Sequence, residues 1–316
     1  MRVQSIESKI CLAFDLGGTK LEVGVVRTTG EILNVRRELL NLELGKAHVL
    51  EQMITWGREY LVQYPEITEI GISSCGPLDP VNGVLLDPTN LLTGGKGWGS
   101  VPLRAILEEA LARQTYLDND AACCVLAERY LGAGRVDACA NLMVLTLGTG
   151  LGTGILCNDV LFRSGRFRHP EAGHMIIAYD NVIDPCACGV YGDGEAFLSG
   201  THFAKRFNRQ HGTFYSARDI TALARAGDLN AQAAFQFYAR VMAVTLHNYC
   251  VIFCPERIVF GGSFAEAFDL FAPMLRAQLS TLLVRRQDIV PQLCASQLQN
   301  HACLLGAALL GDKQGF

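Results

Sequence analysis

At 316 residues, half of them hydrophobic and 18% charged, the chain can form two domains of ordinary size with large packed cores, and its composition excludes disorder. A net charge of −4 leaves nothing basic enough for a nucleic-acid footprint, which argues against a DNA-binding protein. No apolar run reaches the ~18 residues of a membrane span, and Met1–Lys9 is polar and mixed in charge, unlike a signal peptide. Of the twelve cysteines, Cys11, Cys123, Cys124, Cys157, Cys250 and Cys254 sit in apolar stretches and read as small buried hydrophobes in a reducing cytosol.

The first informative stretch is Cys11–Lys20, Cys-Leu-Ala-Phe-Asp-Leu-Gly-Gly-Thr-Lys. An apolar run ends in Asp15, two glycines follow, and apolar alternation resumes through Leu21, Val23, Val25 and Val26. That pattern predicts two strands joined by a tight turn. Gly17 and Gly18 can take positive φ and leave no side chain in the way. Backbone N–H groups and the Thr19 hydroxyl can then face a phosphate. Asp15, at the strand's end, is placed to hold Mg²⁺, a hard cation that prefers carboxylate, water and phosphate oxygens. The bland alternative is a turn and nothing more. Residues 10–40 together read as a three-strand meander. Ala47–Tyr64 has helical spacing at Val49, Met53, Ile54, Trp56 and Leu61. Ile67–Ser73 is a short buried strand, and the alternation of strand and helix that follows predicts an α/β layered domain.

Gly76-Pro77-Leu78-Asp79 and Gly83 form a turn-rich loop, with Thr89-Asn90-Leu91 beyond it. An asparagine offers a donor and an acceptor, which suits a polar ligand; it is also a common turn former. Gly94-Gly95-Lys96-Gly97 reads either as a mobile rim of a binding site or as a surface loop. Pro102–Arg113 is predicted as an amphipathic helix, Tyr116-Leu117 as a brief strand and Ala121–Leu131 as a helix. Asp118-Asn119-Asp120 therefore stands at a helix N-terminus. These are preferred capping residues, and a carboxylate there stays charged. The two readings coexist if Asp118 caps while Asp120 projects into a cleft.

The strand Met143–Leu147 runs into Gly148-Thr149-Gly150-Leu151-Gly152-Thr153-Gly154 and turns back through Ile155-Leu156. This echoes Asp15–Lys20 as strand, glycine turn, strand. A Rossmann fingerprint would open a helix instead, and no Walker pattern occurs, which disfavours a dinucleotide enzyme and a P-loop ATPase. Glu171 and His174 fall in a loop where such residues are usually just solvated. Cys186-Ala187-Cys188 is the most metal-like spacing in the chain. Arg218–Ala226 and Asn230–Val251 read as helices, with Phe235 and Met242 as core or subunit-interface residues and His247 as a core histidine. Arg257–Phe260 is a buried strand before Gly261-Gly262-Ser263, where glycines permit close approach of another group to the backbone. Ala265–Leu283 and His301–Leu310 are the last predicted helices.

Taken together, Asp-Leu-Gly-Gly-Thr-Lys at 15–20, Gly76-Pro77, Asn90-Leu91, Leu117-Asp118-Asn119-Asp120-Ala121, Leu147–Gly152, Glu171-Ala172-Gly173-His174, Cys186-Ala187-Cys188-Gly189 and Gly261-Gly262 resemble, in order, the motifs of the ROK (repressor, open reading frame, kinase) sugar kinases. They span nearly the whole chain. The resemblance implies an α/β fold of two actin-like (ribonuclease H-like) domains with an interdomain cleft. The expected boundaries are 1–118 plus 298–316 for a small N-terminal domain and 119–297 for a larger C-terminal one. It implies ATP-dependent phosphorylation of a hexose, glucokinase-like at the 6-hydroxyl, with Asp120 as general base. The rival substrates are fructose, mannose and N-acetylhexosamines; the rival class is a sugar-sensing regulatory protein without kinase activity. Repressors of the family carry an added helix-turn-helix, for which the short segment before the hairpin leaves no room.

By the same resemblance Gly76, Asn90, Asn119, Asp120, Glu171, His174 and Glu195 contact the sugar. Asp15, Gly17, Gly18, Thr19, Lys20, Gly148, Thr149, Gly150 and Gly262 serve ATP and Mg²⁺. The family's structural zinc uses a histidine and three cysteines; His174, Cys186 and Cys188 match, but Asp193 stands where the last cysteine is expected. Zinc accepts carboxylate oxygens, so a His-Cys-Cys-Asp site and a loop held by packing alone both stay open. His169-Pro170 before Glu171 resembles the fructokinase-like branch. Family habit also implies a homodimer or homotetramer in the cytoplasm, with hexose and ATP as partners and neither nucleic acid nor membrane.

Overall fold

The structure is a computed structural model that describes residues 7–180 and 183–315. The start of the polar stretch Met1–Lys9 lies outside them. The chain divides into two compact units. The first comprises Met1–Ala138, Val160–Pro170 and His301–Phe316, and the second Cys139–Asp159 and Glu171–Asn300.

The first unit is built on strands β1 (Ile10–Leu16), β2 (Lys20–Arg27), β3 (Ile32–Leu39), β4 (Glu69–Ser74) and β5 (Gln114–Asn119), in the sheet order β5-β4-β1-β2-β3. β1 is antiparallel to β2 and parallel to β4, which is parallel to β5. β1 reads as a nearly continuous apolar run because both of its faces are buried, as in other parallel sheets with covered faces; β4 is buried on both faces too, and ends in Ser73 and Ser74. Helix α1 (Gly45–Gln63) buries Val49, Met53, Trp56 and Tyr60, and α2 (Leu103–Leu111) buries Leu103, Leu107 and Leu111. These three- and four-residue steps lay one apolar stripe along each helix.

On the same sheet pack α3 (Asp120–Tyr130) and the two pieces of the C-terminal segment, α9 (Ala302–Ala307) and α10 (Leu310–Lys313). The expected single helix 301–310 is thus two short ones. At the α3–α9 contact, a Cβ on Gly306 would run into the Cys123 carbonyl, so only glycine permits this approach.

The second unit repeats the scheme. Strands β6 (Leu142–Leu147), β7 (Leu151–Cys157), β8 (Arg257–Gly261) and β9 (Gln292–Ala295) lie in the order β7-β6-β8-β9. β6 is antiparallel to β7 and parallel to β8, which is parallel to β9. A glycine-turn hairpin followed by two parallel strands is the arrangement of β2-β1-β4-β5, so the sequence echo reflects one topology used twice. The helices of this unit are α4 (Gly194–Leu198), α5 (Gly200–His211), α6 (Ala217–Arg225), α7 (Leu229–Phe253) and α8 (Phe268–Leu282). Phe203, Phe235, Tyr238, Phe264 and Phe271 form an aromatic centre with edge, tilted and stacked contacts. Tyr249 on α7 donates its hydroxyl to the Ala172 carbonyl at 2.8 Å, which pins the loop carrying Glu171 and His174.

Several expectations shift. Residues 119–138 pack with the first unit rather than the second, because nearly every side chain of α3 is buried there against α9 and the sheet. Residues 160–170 join the first unit as well. Phe235 and Met242 are core, but His247 is only half-buried. Cys157 is partly exposed and Cys254 exposed, the latter capping α7 at a φ of 45°. Residues 263–267 form a 3-10 turn before α8 begins at Phe268. Among the described residues no helix is long and apolar enough to cross a membrane.

Candidate active site

Parallel strands present ligand sites beyond their carboxyl ends, and the first unit places its polar residues there. In register across β1, β4 and β5 stand Asp15, Ser73 and Asp118, then Leu16, Ser74 and Asn119. Ser73 Oγ donates to Asp15 Oδ1 at 2.9 Å. Lys20 Nζ lies 3.7 Å from Asp15 Oδ2 and 3.6 Å from Glu22 Oε2. Burial pushes the Asp15 carboxyl up, against the pull of Lys20 and Ser73. A carboxylate that already holds a cation at ion-pair distance fits a hard divalent ion.

Glu22, fully buried, also receives Arg37 Nε at 2.8 Å and lies 2.6 Å from His301 Nδ1. Sequence reading missed Glu22, although a carboxylate inside the apolar alternation Leu21–Val26 is a visible anomaly. Ser73 gave no signal at all.

The hairpin closes through Gly17 N–H donating to the Lys20 carbonyl at 3.0 Å. Neither glycine adopts the positive φ expected of it. Gly18 is required for space: a Cβ there would sit 2.8 Å from Asn90 Cβ and 3.0 Å from Asn90 O. The hairpin therefore touches the loop carrying the candidate sugar asparagine. Gly18→Ala is expected to displace Asn90, raising the KM for sugar several-fold and lowering the melting temperature by a few degrees, as steady-state kinetics and a thermal scan would show.

Beyond Asn90, Leu92–Thr93 pairs with Lys96–Gly97 through Gly94 and Gly95 at φ of 54° and 75°. Trp98 Nε1 donates to Thr93 Oγ1 at 3.2 Å and Lys46 Nζ to the Trp98 carbonyl at 2.8 Å. The glycine-rich stretch is an anchored hairpin.

Asn119, not Asp118, caps α3, its Oδ1 accepting Ala121 N–H at 2.9 Å. Asp120 opens the helix, half-buried, with Oδ1 accepting the same N–H at 2.7 Å. Asp118 is committed elsewhere: Arg163 Nη1 and Nη2 reach its two oxygens at 2.9 and 2.6 Å.

His169 faces that pair and burial lowers its pKa to about 4. A histidine whose folded pKa is depressed takes up its proton more readily when unfolded, so stability is present above ~6.5 and lost as pH falls towards 4. Denaturant melts between pH 7 and 4.5 should show an acid loss of about 2 kcal/mol that His169→Gln removes.

In the second unit, the β6–β7 turn is closed by Gly148 N–H donating to the Gly150 carbonyl at 3.1 Å. Glu195, on α4, binds this turn: its Oε2 accepts Leu151 N–H at 2.9 Å, and a Cβ on Gly150 would fall 2.5 Å from that oxygen. Its Oε1 accepts Cys186 Sγ–H at 3.1 Å.

His174, Cys186, Cys188 and Asp193 offer ligand atoms all within 4.8 Å of one another. His174 Nδ1 is 3.5 Å from Cys186 Sγ and Cys188 Sγ is 3.6 Å from Asp193 Oδ2. A tetrahedron with 2.0–2.3 Å bonds has edges of about 3.3–3.8 Å, so both pairs sit at edge length. The His174–Asp193 pair is closer, at 2.9 Å, and hydrogen-bonded; that bond lifts His174 to about 9. The donor set fits zinc. Asp193 Oδ1 meanwhile caps α4 by accepting Ala196 N–H at 2.8 Å. One carboxylate thus serves as cap and donor, which a cysteine could not do.

Gly262, at φ 81°, follows β8, and a Cβ on it would strike the Leu147 backbone. Beside it opens a cavity of ≈ 550 Å³ lined by Gly261, Phe268, Ala295, Ser296 and Asn300, with Glu266 and Asp269 at its acidic side. Apolar walls, an amide and carboxylates suit a nucleoside better than a phosphate.

Comparison with known proteins bears on the family of the chain. The model of the ROK family matches residues 11–314. A glucokinase of Thermotoga maritima is 29% identical over 312 residues, covering 94% of this chain and 95% of that protein. An N-acetyl-D-glucosamine kinase of Salmonella paratyphi B is 30% identical over 261 residues, covering 80% and 84%. A ROK glucokinase of Streptomyces griseus, solved with glucose and AMPPNP, superimposes with a TM-score of 0.79 at 25% identity, covering 95% of this chain and 98% of that one. With matched motifs, two hairpin-led sheets and a family match over nearly its full length, the chain belongs to the ROK family.

Proposed function

We propose that the protein is an ATP-dependent hexose kinase in which Asp120 takes the proton from the attacking sugar hydroxyl. The observation that carries this is the placement of Asp120 at the N-terminus of α3, one residue beyond the strand ends that bear Asp15, Ser73 and Asp118. Phosphoryl transfer needs positioning and charge stabilisation rather than covalent help from the protein. A general base must be unprotonated and within hydrogen-bond reach of the hydroxyl, and a helix N-terminus favours the charged carboxylate.

In this reading Gly76, Asn90 and Asn119 of the first unit bind sugar hydroxyls, as do Glu171, His174 and Glu195 of the second. Gly17–Lys20 and Gly148–Gly150 hold phosphates through backbone N–H groups, and the cavity beside Gly262 takes the adenosine. Asp15 would hold Mg²⁺, which supplies charge neutralisation at the phosphates. His174, Cys186, Cys188 and Asp193 would hold zinc, which fixes the orientation of His174 from outside the sugar pocket.

Glucose is the leading substrate on family habit; His169-Pro170 tilts towards fructose or mannose, and the Salmonella relative's name adds N-acetylglucosamine. An ADP-release assay over glucose, fructose, mannose, N-acetylmannosamine and N-acetylglucosamine tests the reading. Sugar-dependent ADP formation with one of them supports it. Sugar binding without ADP formation would assign the protein to the sugar-sensing class instead. Free thiols at every described cysteine suit a cytoplasmic setting. The exposed apolar side chains Phe237, Val244, Val251 and Ile252 on α7 suit a homodimer or homotetramer, which light scattering would resolve.

A further inference from the structure

We propose that Arg163 is a positioning residue for the base Asp120, acting through Asp118 and the Asn119 amide, and that the segment 160–170 is a brace for the sugar-binding end of the first unit. The inference rests on the kinase reading above.

Asp118 is fully buried at the end of β5, and all its bonding capacity is used. Oδ1 accepts Arg163 Nη1 at 2.9 Å and the backbone N–H of Asn119 at 2.8 Å. Oδ2 accepts Arg163 Nη2 at 2.6 Å and Gln314 Nε2 at 3.2 Å. Gln314 also donates to the Leu117 carbonyl at 2.6 Å. The carboxylate thereby fixes the amide at which strand becomes helix. From there Asn119 caps α3 and Asp120 begins it, so a rotation of Asp118 would move the base directly. The bidentate guanidinium resists that rotation; a point charge would not.

The segment is held at its other end too. Arg168 Nη1 donates to the Leu78 carbonyl at 2.7 Å, in the loop that follows Gly76-Pro77, and Nη2 lies 3.8 Å from Asp79 Oδ2. Residues 160–170 separate two stretches of the second unit in sequence yet belong to the first. Two arginines, five residues apart, thus bind two of the three segments of that unit which carry candidate sugar contacts, the one after Gly76 and the one leading into Asn119 and Asp120. A surface loop with no role would not need a buried, doubly satisfied ion pair, since such pairs add little to stability when compared with apolar packing.

The test is kinetic. In Arg163→Lys the charge stays but the fork is lost; kcat is expected to fall ~10- to 100-fold, since a displacement near 1 Å costs about that much. The KM for ATP should change by less than about twofold and the melting temperature by a few degrees. Asp118→Asn/Arg163→Met removes both charges together, so that no lone buried carboxylate remains. It is expected to fold and to keep the low kcat. Wild-type kcat in Arg163→Lys, or full recovery of kcat in the double variant, would show that the pair serves the fold alone and would overturn the proposal. A wild-type protein without sugar-dependent ADP release would instead overturn the kinase reading itself, so the two failures are distinguishable.

Discussion

Asp120→Asn is expected to lower sugar-dependent ADP formation by about 10²- to 10⁴-fold, the range set by loss of a general base. The sugar Kd should stay within a few-fold of wild type. The substitution is nearly isosteric. Asparagine Oδ1 can still accept the Ala121 N–H that Asp120 Oδ1 accepts at 2.7 Å, and the Asn119 cap is untouched. Helix α3 should therefore form as before, and only the proton acceptor is lost. Measuring turnover together with sugar binding by calorimetry separates the outcomes. Equal loss of both would make Asp120 a binding residue. Wild-type turnover would remove it from the base role.

The second large effect is expected at the His174–Cys186–Cys188–Asp193 cluster. The purified protein should carry about one zinc per chain, by elemental analysis. Stripping it with a strong chelator should lower the melting temperature by roughly 10 °C, as loss of a few kcal/mol would in a domain of this size. The sugar KM should rise at the same time, because His174 loses the ligand geometry that orients it. Asp193→Asn makes the test selective. Asparagine caps helices as well as aspartate does, so α4 keeps its N-terminal bond while the cluster loses its carboxylate. Weakened zinc retention with an intact helix is the expected outcome. Unchanged zinc content in Asp193→Asn would exclude the carboxylate as a ligand. Absence of zinc in the wild type would leave the loop held by its hydrogen bonds and packing, with Glu195 still joined to Leu151 N–H.

The main strands and helices follow from local chemistry. β1, β6 and β8 lie where apolar runs end in glycine or aspartate, β2 where apolar residues alternate through Leu21, Val23 and Val25, and α1, α2 and α7 where apolar residues recur at helical spacing. The family, too, was legible, because its motifs are short and local: Asp15–Lys20, Asn119-Asp120, Glu171–His174 and Cys186–Cys188 are each read within a few residues. Elements of ordinary composition escaped. α4 is only five residues long and β9 only four, and α5 carries just two large apolar anchors, Phe203 and Phe207, among polar residues. None of the three gives an apolar pattern long enough to read.

What sequence determined by itself was the identity of the chemical groups and the two glycine-led hairpins, since both depend on neighbours along the chain. What only the tertiary structure decided were pairings between residues far apart: Gly18 against Asn90, Asp118 with Arg163, Glu22 with His301, and 119–138 with the first unit. Even the glycines changed meaning. Gly18 and Gly150 are there for the space that Asn90 and Glu195 take, not for a special φ. Steric room and buried charge pairing are set by whatever the fold brings alongside, and nothing local encodes them.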